Sequence, residues 1–330
     1  MTNVLQNFKN SIHIILLFWF VNGIANTTPH RPPVLNTLDC DLCSCASSSG
    51  SLGQNTLNNI SFIGTRYLYQ RFVSKAGIFK NSPKSTEHFN TYQIWGRISI
   101  SERFYLSAIL PYQNLKRKFT HSNEHVNGIG DATLIGWFKI PFYKKQRKEA
   151  NKNHTSVSKI PTRHTIEFGL GTKLPTGTFE QVLSDRINPG FQLGTGSLDG
   201  IVSAVHSYTG DTFGINTNLT YYAKGENKNE YRFGNQFSFS SNFFYTIPKN
   251  NFNIMPFIGV AGNFYDNITQ FGETLENTNG TIYNASLGTE FLFNKFIIGG
   301  NYTLPIQHDL FEGNVTPKQS VSLYINYRLN

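Results

Sequence analysis

Apolar and polar side chains alternate along most of this chain, from about Ile60 to its last residues. The alternation divides into about twelve segments of roughly 10–14 residues, at 60–73, 88–100, 103–115, 130–140, 163–174, 197–208, 212–223, 231–247, 252–264, 281–293, 296–305 and 318–329. A period of two places apolar side chains on one face of a strand and polar ones on the other. Strands in soluble proteins average about 5–6 residues, whereas a tilted membrane-crossing strand needs about 9–11. The pattern therefore predicts membrane-spanning β-strands.

The connections between these segments alternate in length. Short turns are expected at 101–102, 208–211, 248–251 and 294–295. The other connections are mostly longer, at 74–87, 116–129, 175–196, 265–280 and 306–317, with 224–230 the shortest of them. Outer-membrane barrels combine an even strand number with short periplasmic turns and long outer loops. We therefore predict an all-β fold, a transmembrane antiparallel up-and-down β-barrel of about twelve strands.

One connection breaks this alternation. The segment from Pro141 to Thr162 should be a short periplasmic turn, yet it is about twenty residues long, polar and basic. Either it is a disordered periplasmic insertion, or the assignment of short and long connections is wrong locally. We favour the insertion, because the alternation of short and long connections resumes after it.

Composition agrees with a barrel. Aromatic residues make up 14% of the chain and charged residues only 15%, against about 25% charged residues in ordinary soluble domains. The net charge is +9, but the basic residues follow no nucleic-acid-binding motif. We attribute the excess to solvated loops and to attraction toward anionic headgroups. Outer-membrane lipids are thus expected partners, and nucleic acid is not.

The first residues resemble an export signal. Lys9 precedes an apolar run from Ile12 to Val21, and small residues follow, with Ala25 near the expected cleavage point. The alternative interpretation is an N-terminal membrane anchor. We predict a signal peptide at 1–25, a periplasmic leader at 26–58 and a barrel at 59–330. Sec-type export would bring the protein to the outer membrane of a Gram-negative bacterium.

Charged residues within the predicted strands indicate which face points inward. Arg or Lys on the lipid-facing side at mid-bilayer costs about 2–4 kcal/mol. The charged residues opposite the apolar faces should therefore face the lumen, and they are Arg97, Glu167, Lys173, Glu290 and Arg328. Their mixed signs predict ion pairs that fill part of the lumen.

Three short motifs flank the predicted outer loops. Their characteristic residues are Gly128, Gly130 and Asp131, then Leu174, Pro175 and Gly177, then Gly194, Gly196 and Asp199. Glycine allows tight turns where a loop meets a strand, and Pro175 should end a strand because it cannot donate a ladder hydrogen bond. Asp131 and Asp199 could bind each other's loops, a cation or backbone N–H groups.

In this order, the three motifs resemble those of the outer-membrane transporters of the MetA-pathway phenol-degradation family, over roughly residues 60–330. The resemblance implies an outer-membrane barrel and passage of small solutes, aromatic or hydrophobic ones included. It implies no catalytic residue and no required cofactor, and no Ser-His pair in the chain is singled out by a catalytic motif. We therefore expect that the protein is not an enzyme.

The leader contains all three cysteines, Cys40, Cys43 and Cys45, at C-x-x-C-x-C spacing. It resembles the Cys-rich leader of some Bacteroidetes members of the same family. Thiolates at this spacing can bind Cu(I) or Zn(II), and in the periplasm the alternative is a disulfide with one thiol left over. The pair His121 and His125 also has ligand spacing, but lies in a predicted exposed loop.

Three functional hypotheses follow. The first is a channel or transporter for small solutes. The second is soft-metal handling, copper above all, through the Cys-rich leader. The third is a structural or surface-binding barrel with a closed lumen.

Overall fold

The computed structural model describes residues 61–75, 84–150, 154–183, 186–187 and 189–329. For 143–150, 154–162 and 186–187 it describes the backbone only. The predicted signal peptide and leader, with Cys40, Cys43 and Cys45, lie outside the described residues. Within the described part, no helix is long and apolar enough to cross a membrane.

Twelve long antiparallel strands form a closed barrel, which confirms the predicted fold class and strand number. They are β1 Phe62–Lys75, β2 Lys84–Ser99, β3 Phe104–Lys118, β4 Ala132–Ala150, β5 His154–Leu174, β6 Asp199–Thr209, β7 Phe213–Ala223, β8 Gln236–Tyr245, β9 Phe252–Tyr265, β10 Gly280–Phe293, β11 Phe296–Leu310 and β12 Val315–Arg328. Each strand pairs with the next along the chain, and β1 pairs with β12 to close the barrel. Because the barrel is closed, the backbone N–H and C=O groups at every strand edge have hydrogen-bond partners, as a bilayer requires.

The alternation seen in the sequence separates the two sides of the barrel wall. In β12, for example, Leu323 and Ile325 are exposed, whereas Ser322 and Asn326 are buried. The exposed apolar residues continue around the barrel and include Leu110, Leu170, Val202, Leu219, Ile258, Leu287, Ile298 and Leu304. This outer face is the surface that lipid chains cover.

Three predicted connections differ from the observed ones. Segment 116–129 is mostly a hairpin, because the strand Asn123–Ile129 pairs with β3 and leaves only a tight turn. At 306–317, β11 and β12 extend until Leu310 pairs with Val315. Segment 141–162 is not a disordered insertion: β4 and β5 continue to pair as far as Ala150 and His154. In each case strand pairing extends past the thickness of a bilayer, which loop length alone does not reveal.

The lipid-facing assignment can be tested at Leu287, which is 64% exposed in the middle of β10. We expect Leu287→Arg to lower the free energy of unfolding by about 2–4 kcal/mol, because the charge would lie near the bilayer midplane. Denaturant titration in phospholipid vesicles, followed by tryptophan fluorescence, measures this loss. The matched control is Gln307→Arg near the outer end of β11, where the cost should be about 0–1 kcal/mol. Equal losses in the two variants would contradict the assignment.

Candidate functional site

Aromatic and ionisable side chains line the lumen near the inner, short-turn end. Arg97, Glu167 and Glu290 are almost completely buried there. The guanidinium of Arg97 lies 4.1 Å from the ring centre of Tyr105, whose hydroxyl donates a hydrogen bond to Glu167. The hydroxyl of Tyr324 donates to Glu290 at 2.5 Å. Predicted lumenal charges are therefore bonded to tyrosines as well as to other charges.

The remaining two predicted lumenal charges are not part of these tyrosine contacts. Arg328 is half-buried at the inner end of β12, opposite Phe62 in the adjacent strand. Lys173 is buried at the other end of the barrel, at the outer end of β5. The sequence did not single out Arg66, which is buried beside Gln93 and lies 4.9 Å from the Trp95 ring.

Small hydroxyl and amide side chains line the lumenal face of β6 to β12. The buried members include Ser203, Ser207, Asn216, Thr220, Ser238, Ser240, Asn242, Ser286, Asn301, Thr303 and Ser322. Some of them bond across strands, as Asn216 does to the hydroxyl of Ser207 at 2.8 Å. This part of the wall offers donors and acceptors to a polar solute and carries little charge.

The three sequence motifs converge at the outer end of the lumen, around Asp131. One carboxylate oxygen of Asp131 accepts hydrogen bonds from Lys173 Nζ at 2.8 Å, the Thr195 amide at 2.9 Å and the Thr195 hydroxyl at 3.0 Å. The other accepts from the Gly177 amide at 2.9 Å. Asp131 thus joins β4, β5 and both ends of the loop between β5 and β6.

Asp199 continues this cluster to the next strands. Its carboxylate lies 3.1 Å from Lys173 Nζ and 3.3 Å from Lys224 Nζ, and it accepts hydrogen bonds from the Ser197 hydroxyl and the Gly225 amide. We call Asp131, Lys173, Thr195, Asp199 and Lys224 the latch. Of the roles left open for the two aspartates, the structure shows bonds to loop backbone N–H groups, alongside the lysine pairs.

Glycines bring the two ends of the β5–β6 loop together. A Cβ atom on Gly177 would lie 2.9 Å from the Cα atom of Gly194, so side chains at these positions would separate the loop ends. Just beyond them, the amides of Leu193 and Gly194 both donate to the carbonyl of Thr178. Pro175 follows the last paired residue of β5, as predicted. Residues 178–193 therefore form an Ω-type loop closed by a narrow neck.

This loop, which we call the plug, turns into the lumen. It contains the short hairpin Val182–Leu183 and Arg186–Ile187 and a 3-10 turn at Pro189–Phe191. The side chain of Gln192 accepts from the Gln181 amide and donates to its carbonyl, both at 2.9 Å, which ties the plug together. Phe191 is fully buried.

The plug forms part of an apolar cluster that fills the outer end of the lumen. Strands contribute Phe72, Phe89, Leu115, Ile282, Leu310 and Val315, and the connections contribute Val126, Leu183, Phe191, Leu193, Tyr231, Phe233, Ile268 and Phe311. Arg117 lies beside it, 4.3 Å from the Phe191 ring centre and 3.0 Å from Glu87. An apolar layer rich in aromatic rings therefore lies across the outer mouth.

The loop between β7 and β8 contacts the plug from its outer side. Lys228 forms an ion pair with Glu180 at 2.7 Å and lies 5.4 Å from the Phe179 ring. Hydrogen bonds from Lys228 and Asn229 lower the pKa of Glu180, so this exposed contact stays ionised at neutral pH and weakens only on acidification. It is a solvent-screened contact, weaker than the buried latch.

The two histidines singled out by spacing do not form a site with a third ligand. His125 bonds to Asn114 at 3.1 Å, and no group of three or more potential ligands occurs among the described residues. The structure instead pairs His164 with His206, whose ring nitrogens are 3.2 Å apart. These residues are 42 positions apart, and only strand register brings them together.

Comparisons with known proteins agree on the fold. No family model and no curated protein matches the chain by sequence. The COG4313 outer membrane channel from Pseudomonas putida F1 is similar in structure, with a TM-score of 0.58 at 15% identity, covering 82% of this chain and 96% of that one. A Pseudomonas aeruginosa FadL homologue aligns with 90% of this chain and 99% of its own at 11% identity, but its TM-score is only 0.42. At 15% identity the first likeness shows a shared outer-membrane barrel fold.

Proposed function

We propose that this protein is an outer-membrane channel for small solutes, and that the plug controls its outer mouth. The observation that carries the proposal is that the plug packs into the apolar cluster at the outer end of a lumen lined by polar and ionisable groups. The resemblance in sequence motifs and the likeness to a solved outer-membrane channel support the same function.

The plug can leave the lumen without breaking the hydrogen bonds between barrel strands. Its two ends meet at one neck, where Thr178 accepts two backbone hydrogen bonds. Beyond that neck, the described residues of the plug contribute no strand to the barrel ladder. Segments with few shared backbone hydrogen bonds open at a lower free-energy cost than core strands. Lid loops of this kind commonly gate access to an enclosed site.

Excision of the plug tests the proposal. Residues 179–192 are replaced by Asn-Gly, a two-residue turn that keeps the neck between Thr178 and Leu193. We expect the full-length protein to show low or rare conductance steps in planar bilayers and the excised variant to show frequent, larger ones. Unheated gels show whether the full-length protein and the excised variant are folded. If both were folded and neither conducted, the result would support the closed-lumen alternative and overturn the channel proposal.

We further propose that the chain belongs with the MetA-pathway phenol-degradation family and that aromatic or hydrophobic solutes are among those it passes. The aromatic layer at the outer mouth favours such solutes, since Phe72, Phe89 and Phe191 present apolar ring surfaces. A liposome uptake panel of benzoate-like and aliphatic solutes, with the plug-excised variant beside the full-length protein, measures this preference. We propose no catalytic role.

Metal handling by the leader remains a separate proposal. It depends on Cys40, Cys43 and Cys45, and a Cu(I) competition titration of the full-length protein against Cys43→Ser tests it. Equal affinities would remove the idea without affecting the channel proposal.

A further inference from the structure

A basic patch lies on the outward-facing side of the barrel wall near its outer end. Arg71, His88, Lys116 and His125 are direct cross-strand partners, one after another, on β1, β2, β3 and the strand Asn123–Ile129. Lys118 lies two residues further out on β3. With strands about 4.8 Å apart, the row is about 15 Å wide. We call these five residues the basic row.

Nothing acidic compensates the basic row on its own face. Within 61–75 and 84–129, the acidic residues are Glu87, Glu102 and Glu124. Glu87 and Glu124 point inward, where both pair with Arg117, and Glu102 lies in the turn at the opposite end of the barrel. Because no acidic side chain of these two segments on this face neutralises Arg71, Lys116 and Lys118, an external anion would stabilise the row.

The charges are close enough to act on one another. Arg71 and Lys116 flank His88 on the two adjacent strands, and Lys118 lies two residues from Lys116. Arg71 also has an Nε donor that is buried without a hydrogen-bond partner. An unpaired buried donor near two lysines is an arrangement that an oxyanion would satisfy.

The position of the row relative to the membrane identifies the ligand. Four residues closer to the inner end, the same face carries the cross-strand row Tyr67, Tyr92 and Tyr112, and tyrosine belts mark the membrane–water interface. Between the two rows lie Tyr69, Asn90, Asn114 and Asn127. With about 3.4 Å per residue and a tilt of about 40°, the basic row lies about 10 Å beyond the tyrosines. The row therefore lies at the outer edge of the headgroup region.

We propose that the basic row binds the phosphorylated headgroup of an outer-leaflet glycolipid. The row faces the lipid phase, continues the aromatic belt and has the charge that phosphate groups require. A second copy of this chain would present the same positive surface and be repelled. The inference does not depend on conductance, so it stands or fails separately from the channel proposal.

Binding of fluorescent diphosphoryl lipid A to the full-length protein in detergent, followed by anisotropy, tests the proposal. One juxtamembrane lysine contributes roughly a fivefold gain in affinity, so we expect Lys116→Gln with Lys118→Gln to bind roughly 30-fold more weakly. The control is Lys249→Gln with Lys295→Gln, which removes the same charge from exposed turns at the opposite end. We expect the control to stay within about twofold of the wild type.

A second comparison needs no variant and therefore does not depend on how the variants fold. Wild-type protein should bind diphosphoryl lipid A at least tenfold more tightly than the same lipid with its phosphates removed. Equal affinity for the two lipids would overturn the proposal, as would an equal loss in both double variants. If inorganic phosphate at the same concentration displaced the lipid completely, the row would be a site for free phosphate, and the lipid assignment would be wrong.

Discussion

Asp131→Ala is expected to lower the free energy of unfolding by about 3–5 kcal/mol, the cost of removing one partner of a buried ion pair. The substitution leaves Lys173 without its 2.8 Å contact and the amides of Gly177 and Thr195 without their acceptor. Because these donors belong to both ends of the β5–β6 loop, the neck should open together with the ion pair. Guanidinium titration in detergent micelles, followed by tryptophan fluorescence, measures the loss.

Two further variants separate charge from hydrogen bonding. Asp131→Asn keeps one carbonyl acceptor but loses the charge, so we expect an intermediate loss of about 1–3 kcal/mol. Asp309→Ala removes an exposed carboxylate from the outer end of β11 and should change stability by about 0.5 kcal/mol or less. A loss at Asp131 no greater than that at Asp309 would show that the latch does not hold the loop.

Phe191→Ala is expected to release the plug while leaving the barrel strands intact. Deleting a fully buried phenylalanine costs about 3–5 kcal/mol, and most of that loss should fall on the plugged state, since Phe191 contacts Phe89 and Arg117 from a loop. The population of the open state should therefore rise roughly 10²–10³-fold. Open probability in planar bilayers and hydrogen exchange of the plug amides both report this change.

Val182→Ala is the matched control, because Val182 lies in the same loop but is 63% exposed. It should leave open probability and amide exchange near their wild-type values. If Phe191→Ala lowered the unfolding midpoint of the whole barrel and left plug exchange unchanged, Phe191 would be part of the barrel core and not of a gate.

The barrel itself was predictable from the sequence. A residue in a strand points to one of two sides, and only the lipid-facing side must be continuously apolar, so alternation identifies both the strands and their faces. The twelve predicted segments all correspond to strands of the barrel. The ends of these strands were less predictable, because pairing at 116–129, 141–162 and 306–317 continues where no lipid imposes the pattern.

Runs of charge show where the pattern stops being informative. Lys116, Arg117 and Lys118 are consecutive cations, so no alternation distinguishes them. Strand register turns Arg117 inward to Glu87 and leaves both lysines on the outer surface. The same register brings His164 to His206. A one-residue change in pairing would reverse these faces.

The sequence by itself determined the closed barrel, its strand number and the importance of the three motifs, because period-two patterning and the cost of charge in lipid act on each strand locally. Tertiary structure alone decided that these motifs meet at Asp131 and that residues 178–193 fold inward to close the outer mouth. Contacts of this kind depend on which loops share space above the lumen, and residues separated by 46 and 64 positions carry no local signal of their proximity.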